Sequence, residues 1–274
     1  VFSATFTPVK FRAALCSAGL LLLMALLPHL LRAQAGGRHA FEFLRQAPNA
    51  QVAGLGGSWM AQPTADPALA LHNPGLLTDS MHTVASASFG RLFGDQTTGT
   101  VSYGHHIDGI GTVHGGLHYV SYGEFIAADA AGNKLGTFTA NDVALVGGIG
   151  RSFGHFHVGG NMKFLLSQLR REKAIGLGFD LGATYFNPEI GLAVGAVLKN
   201  FGAVMRRYQD GGPCESLPFE LQVGVTQRVP KAPLRFSLTL INLETPKLAY
   251  QEPTQPAETD LAGNPVDQSP GVGD

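Results

Sequence analysis

Residues 156–164 read FHVGGNMKF, and the strict alternation in this stretch decides the fold class. One set of alternating positions is apolar or glycine: Phe156, Val158, Gly160, Met162 and Phe164. The other set is polar or glycine: His157, Gly159, Asn161 and Lys163. Successive side chains of a strand point to opposite faces, so the stretch predicts a strand with one apolar and one polar side. We expect the apolar set to face lipid and the polar set to face inward.

The same alternation recurs along the chain, for example at 112–119, 177–185 and 219–226. It predicts nine strands, near 83–90, 97–107, 111–121, 141–152, 155–167, 174–186, 189–199, 218–229 and 233–241. Most of these segments are longer than the roughly five or six residues of soluble strands and match the ~9–11 that a tilted membrane strand needs.

The connections between the predicted strands alternate between short and long. Short turns are expected at 107–110, 153–154, 187–189 and 230–233, and longer loops at 91–96, 122–140, 168–173 and 201–217. Bacterial outer-membrane barrels have short periplasmic turns and longer exterior loops. A Greek-key sandwich has no reason to alternate in this way. The expected class is therefore an all-β, antiparallel transmembrane outer-membrane β-barrel, with the first strand rising outward.

Composition agrees with this class. The 274 residues include 36 Gly, and only 14% are charged, whereas ordinary soluble domains average about 7% Gly and about 25% charged residues. A soluble β-sandwich is the alternative, although it usually carries more surface charge. The net charge of −1 gives no reason to expect nucleic acid as a partner. The expected surroundings are outer-membrane lipid.

The N-terminus is typical of a secretory signal peptide over 1–35. Lys10 and Arg12 precede an apolar run at 13–28, and Ala-Gln-Ala at 33–35 supplies a cleavage pattern. The next segment, 36–82, is too irregular to span lipid and is expected to be a plug-like element. Its glycine run at 53–58 lacks the GxxxxGK[ST] pattern of a phosphate-binding loop.

The predicted strand count is odd, whereas bacterial barrels normally have even numbers. An open sheet edge is not viable in lipid. Residues 242–274 are polar and proline-rich, as expected for an extracellular loop. We therefore expect a barrel truncated at its C-terminal side, with further strands missing.

Several stretches resemble PorQ proteins of the Bacteroidota type IX secretion system. They are FEFL at 41–44, AGLGG at 53–57, LALHNPGLL at 69–77, YVSYGEF at 119–125, GTFTAND at 136–142, FDLGATY at 179–185 and LPFELQVGV at 217–225. That family resembles PorV and FadL-type barrels, which contain an N-terminal plug. The resemblance implies a scaffold that holds PorZ at the outer membrane, in a complex with PorU and PorV that attaches exported cargo to lipopolysaccharide. The peptidase chemistry of that complex belongs to PorU.

No pattern in the sequence predicts catalysis, a metal or a cofactor. His114 and His118 would lie about 13 Å apart on a strand, too far to share a metal ion. The inward charges are expected to neutralise one another: Lys163, Asp180, Lys199, Glu220 and Arg228. Two functions stay open: a non-enzymatic scaffold with a PorZ-like partner, or a FadL-like transporter of hydrophobic molecules.

Partner contacts are expected in the exterior loops, because long loops on a rigid scaffold commonly carry function. The candidates are aromatic and arginine side chains, the types enriched at binding hot spots. They are Tyr122, Phe125, Phe138, Arg206, Arg207 and Tyr208. Phe125 and Phe138 have an alternative role, which is to pack against each other and order their loop.

Overall fold

The computed structural model describes residues 39–62, 64–208, 215–230 and 232–244. The predicted signal peptide and nearly all of the predicted extracellular loop lie outside these residues. No helix formed by the described residues is long and apolar enough to cross a membrane.

Nine strands form one antiparallel sheet, as the alternation predicts. Their bounds are β1 Val84–Arg91, β2 Thr97–Ile107, β3 Gly111–Ala128, β4 Lys134–Phe153, β5 Phe156–Leu169, β6 Glu172–Asn187, β7 Leu192–Arg206, β8 Glu220–Arg228 and β9 Arg235–Leu240. Each strand pairs with the next one along the chain. Among the described residues β1 and β9 are the two edges, so the sheet is not closed into a barrel.

The polarity of the two faces of the sheet is the reverse of that in a soluble protein: the exposed face is apolar and the buried face is polar. On β5, Phe156 and Met162 are 60% and 56% exposed, whereas Asn161 and Lys163 are each 3% exposed. The same face is apolar across neighbouring strands, since Val101, Leu117, Leu145 and Phe164 lie opposite one another in successive pairs. The predicted register of β5 is therefore confirmed: its polar side chains are buried and its apolar side chains are exposed.

The predicted loop at 122–140 is wrong. These residues prolong β3 and β4 into a hairpin whose turn is held by Asp129, which accepts hydrogen bonds from the Asn133 backbone and side-chain nitrogens at 2.8 and 2.9 Å. The register shifts at Gly123, whose φ is 81°, between the pairs of Ser121 and Glu124. A bulge adds one residue to one of the two strands, so side chains beyond it point to the opposite face from the one that the preceding alternation predicts. The period-two pattern is therefore interrupted, and the strand is not recognised from it.

The predicted alternation of loop lengths holds only in part. It is wrong for β5 and β6, which are joined by Arg170 and Arg171 alone, and residues 201–206 belong to β7, so that the long connection before β8 is 207–219. The two ends of the sheet also differ in how far the strands continue. The β3–β4 hairpin, defined here as residues 122–140, extends well past the ends of β1 and β2.

Residues 39–82, called the N-terminal segment below, cover the polar face of the sheet. They form one short helix, α1 (Ala50–Gly54), and 3-10 turns at Glu42–Arg45, Pro67–Leu71, Pro74–Leu76 and Asp79–Met81. Phe41 and Phe43 pack in a buried cluster with Val120 and Leu165 of the sheet.

Glycines allow the turn at Pro74–Leu76 to rest on the backbone of the sheet. A Cβ added to Gly159 would overlap the carbonyl oxygen of Pro74, and one added to Gly182 would overlap the side chain of Asn73. In the other direction, a Cβ on Gly75 would lie 2.8 Å from the backbone nitrogen of Ala183. The main chains of the segment and the sheet therefore touch directly, and any side chain at these positions would separate them.

We expect Gly159→Ala to loosen the N-terminal segment. Overpacking of this kind costs about 1–3 kcal/mol. Limited proteolysis of the folded protein would show it as faster cleavage within 39–82. The matched control is Gly147→Ala, because an added Cβ there meets nothing within 4 Å. Equal protection of both variants would contradict the close approach.

Candidate functional site

The polar face of the sheet carries a buried ion pair between β5 and β6. Lys163 Nζ lies 2.7 Å from Asp180 Oδ2, and both side chains are almost fully buried. Lys163 Nζ also donates to Asn200 Oδ1 at 2.8 Å, and the Asn200 backbone nitrogen donates to Asp180 Oδ1 at 2.8 Å. Each buried charge thus has a charged and a polar partner, which is what burial of an ion requires.

Hydrogen bonds from this ion pair reach the N-terminal segment through Asn161. The Asn161 side-chain nitrogen donates to the backbone oxygen of Ala70 at 2.8 Å and lies 3.3 Å from Asp180 Oδ2. Its Oδ1 is 2.7 Å from His114 Nε2. The network therefore fixes the segment on the sheet as well as satisfying the buried charges.

A second ion pair joins β7 and β8, where Lys199 Nζ lies 3.7 Å from Glu220 Oε2. Lys199 Nζ also lies 3.3 Å from His72 Nδ1 of the N-terminal segment. Burial, and then the positive charge of Lys199, lower the pKa of His72 well below its usual value. His72 therefore stays neutral, and its Nδ1 can accept from the lysine.

The predicted mutual neutralisation of inward charges is confirmed for four residues, namely Lys163, Asp180, Lys199 and Glu220. It is wrong for Arg228, which is exposed at the end of β8 and whose backbone nitrogen donates to Gly191.

Two histidines, His114 of β3 and His118 of the same strand, lie on the polar face of the sheet. His114 and His118 are both buried, and His118 Nε2 lies 3.2 Å from Thr98 Oγ1. Across the ranges that the structure describes, no group of three or more His, Cys, Asp or Glu side chains could hold a metal ion.

A cavity of about 430 Å³ lies where the β3–β4 hairpin meets the N-terminal segment, and it is called the hairpin cavity below. It is lined by Phe41 and Glu42 of the segment, by strand residues of β3 to β5, and by Tyr208 and Glu215. Four of the six predicted partner-contact residues line it: Tyr122, Phe125, Phe138 and Tyr208. Three separate regions of the sequence therefore converge on one site.

A chain of hydroxyl groups converges on Asp142 in this cavity. Tyr122 Oη donates to Asp142 Oδ2 at 2.6 Å, and Ser167 Oγ donates to Asp142 Oδ1. Tyr208 Oη is hydrogen-bonded to Ser167 Oγ. Burial raises the pKa of Tyr208, so its hydroxyl stays protonated and can act as a donor. The carboxylate of Asp142 is held by neutral donors.

Phe125 and Phe138 form the aromatic wall of the cavity. Their rings stack with centroids 5.3 Å apart and planes at 21°, and they lie directly opposite each other in the β3–β4 pair. The predicted contact between the two rings is therefore confirmed, although the rings lie on paired strands and not in a loop. Phe125 nevertheless remains 41% exposed, so one ring edge is open to contact.

The two predicted arginines lie apart from the cavity wall. Arg206 is exposed at the end of β7, opposite Ile175 of β6. Arg207 follows it and is partly buried. Neither side chain belongs to the lining of the hairpin cavity.

Sequence reasoning missed Asp142, Ser167, Phe41 and Glu42 as site residues. Asp142 and Ser167 are opposite each other on β4 and β5. Both lay inside or beside predicted strands on the polar side, so their common face could have been recognised. The approach of Phe41 and Glu42 depends on where the N-terminal segment docks on the sheet, which its irregular sequence does not specify residue by residue.

No family model matches the chain, and a search of curated proteins finds no match.

Proposed function

We propose that this chain is an outer-membrane protein whose strands span the lipid bilayer. The observation that carries this proposal is the inverted polarity of the sheet. Apolar side chains such as Phe164 and Leu145 are exposed in a continuous band, while Lys163 and Asp180 are buried. Soluble proteins rarely expose contiguous apolar patches larger than a few hundred Å², whereas a lipid-facing sheet requires one.

The proposed barrel includes further strands beside β1 and β9. Unpaired edges cost several kcal/mol per backbone group in hydrocarbon, so both edges must be paired in a membrane. In such a barrel the N-terminal segment would be enclosed as a plug. The buried ion pairs and the glycine contacts at Gly159 and Gly182 support that role, because they hold the segment against the inner wall.

We propose that the protein works as a scaffold and has no catalytic role. The resemblance to PorQ proteins favours a place in the type IX secretion attachment complex, with a PorZ-like protein held at the cell surface next to PorU and PorV. The β3–β4 hairpin supports the scaffold function, because its two strands project past the ends of β1 and β2 and offer a surface for contact. Its aromatic residues Tyr122, Phe125 and Phe138 are of the kinds enriched at interface hot spots.

The decisive experiment shortens the hairpin. Ser121 and Asn141 are paired, so replacing 122–140 with Asn-Gly closes the same two strands by a two-residue turn. We expect the variant to insert normally but to retain at least about thirtyfold less PorZ-like partner, which corresponds to about 2 kcal/mol of lost hot-spot energy. Flow cytometry of intact cells measures the retained partner.

The matched control replaces 188–191 with Asn-Gly at the opposite end of the sheet. Asn187 and Leu192 are paired, so this change closes β6 and β7 by the same turn. We expect the control to retain the partner fully. Full retention by the shortened hairpin, with insertion confirmed, would show that the scaffold contact lies elsewhere.

A FadL-like transporter of hydrophobic molecules is the second candidate. The aromatic lining of the hairpin cavity favours it, because apolar ligands bind in pockets of about 300–1,000 Å³ with such walls. Uptake of a labelled fatty acid by cells that carry the protein separates the two candidates. Uptake that falls on Phe138→Ala, with partner retention unchanged, would favour transport.

A further inference from the structure

We infer that the hairpin cavity binds a positively charged group carried on an apolar stem, such as a guanidinium on an alkyl chain. This inference deepens the proposed scaffold function and rests on it, because it names the chemistry of the contact at the same site. It depends on the shape of the cavity, on its aromatic wall and on the charges that line it.

The size and walls of the cavity suit a short flexible chain with an apolar surface. Its volume of about 430 Å³ lies in the range of ligand pockets, about 300–1,000 Å³. Phe41, Phe125 and Phe138 provide ring faces and edges, and Tyr122 and Tyr208 add two phenol rings. Cations are attracted to the faces of such rings at distances up to about 6 Å from the centroid.

The charged side chains that line the cavity are acidic. Three carboxylates line the cavity: Glu42, Asp142 and Glu215. Among the described residues of the lining none is Lys or Arg. Arg45 lies 3.7 Å from Glu42 and offsets part of that charge, whereas the hydrogen bonds to Asp142 come from neutral hydroxyls. A carboxylate with aromatic neighbours and only neutral donors favours a cation over an anion or a neutral lipid.

Guanidinium fits this arrangement better than a compact ammonium does. It is planar and weakly hydrated, stacks on aromatic faces and forms two parallel hydrogen bonds to a carboxylate. The stacked pair of Phe125 and Phe138 offers a flat surface, and Asp142 and Glu215 offer carboxylate acceptors. The cation could come from an arginine of a protein partner or from a free organic cation, and the experiment has an arm for each.

The test measures binding of three probes to the full-length protein in detergent micelles by isothermal titration calorimetry. N-acetylarginine amide stands for a protein side chain, and benzyltrimethylammonium stands for a free organic cation. N-acetylcitrulline amide has the shape of the arginine probe without its charge. We expect the arginine probe to bind at least about tenfold more tightly than citrulline, since hydrogen bonds between charged groups are stronger than those of a neutral donor.

Two variants locate the binding. Asp142→Asn and Glu215→Gln are each expected to weaken binding of the arginine probe by about tenfold. Glu215 is only partly buried and outside the hydroxyl chain, so its variant tests the charge even where Asp142→Asn perturbs folding. Glu124→Gln is the control, because this exposed carboxylate on the same hairpin lies outside the cavity lining.

The outcomes separate this inference from the proposed function. Charge-dependent binding of the arginine probe supports a protein source for the cation, and binding of benzyltrimethylammonium alone supports a free organic cation. Equal affinity for arginine and citrulline together with no binding of benzyltrimethylammonium, or unchanged affinity of the bound cation in both cavity variants, overturns the inference. If the shortened hairpin still releases the PorZ-like partner in that case, the scaffold proposal stands and only the cation chemistry fails.

Discussion

Asp180→Asn is expected to destabilise the folded protein by about 3–5 kcal/mol, because it leaves the Lys163 charge buried without its counter-charge. Asp180 is fully buried, and its two oxygens lie within hydrogen-bond distance of Lys163, Asn161 and the Asn200 backbone. Urea unfolding in detergent micelles, followed by the heat-dependent shift in gel mobility, would measure the change.

Two controls define this result. Asp95→Asn removes the partner of Arg91 in an exposed ion pair and should change stability by less than about 1 kcal/mol. The double variant Asp180→Asn/Lys163→Met removes both charges and should recover much of the loss, since a buried pair is often replaceable by apolar groups. A double variant no more stable than Asp180→Asn would contradict the role of the unpaired charge.

Met162→Arg is expected to impair membrane insertion by about 2–4 kcal/mol, which is the cost of an arginine at the bilayer midplane on a barrel surface. Met162 lies near the middle of β5 on the exposed apolar face. Equilibrium folding into lipid vesicles, measured by resistance to added protease, gives the free energy of insertion for each variant.

The controls for Met162→Arg separate lipid contact from local packing. Met162→Leu keeps the apolar surface and should insert like the unchanged chain. Ile126→Arg places the same charge at an exposed position of the β3–β4 hairpin, which is expected to lie outside the bilayer. Insertion of Met162→Arg at the level of Ile126→Arg would mean that this face does not meet lipid.

The strands and their faces were predictable because they depend on a local pattern. In β2 the predicted and observed bounds are both 97–107, and in β5 the apolar and polar sets fall on the expected faces. A strand with a period of two can be recognised from residues that are neighbours in the sequence. The predicted closure into a barrel, in contrast, is not found among the described strands, which form a sheet with two open edges. Closure depends on how distant edges pair, and a local pattern does not determine that.

The candidate site was predictable only in part. Tyr122, Phe125 and Phe138 were expected in a loop, yet they lie on strands because the bulge at Gly123 shifts the alternation. Their aromatic character indicated the residues that line the hairpin cavity, although the sequence predicted a loop where the structure has strands. Arg206 was expected in a loop, but residues 201–206 continue β7 and its side chain is not part of the cavity lining.

The two buried ion pairs have a consequence for biogenesis. Lys163 and Asp180 belong to consecutive strands, and so do Lys199 and Glu220, which are directly paired in register. Contacts between consecutive strands close short loops of chain and can form early. We therefore expect the buried lysine of each hairpin to find its carboxylate partner within that hairpin, before the rest of the sheet assembles.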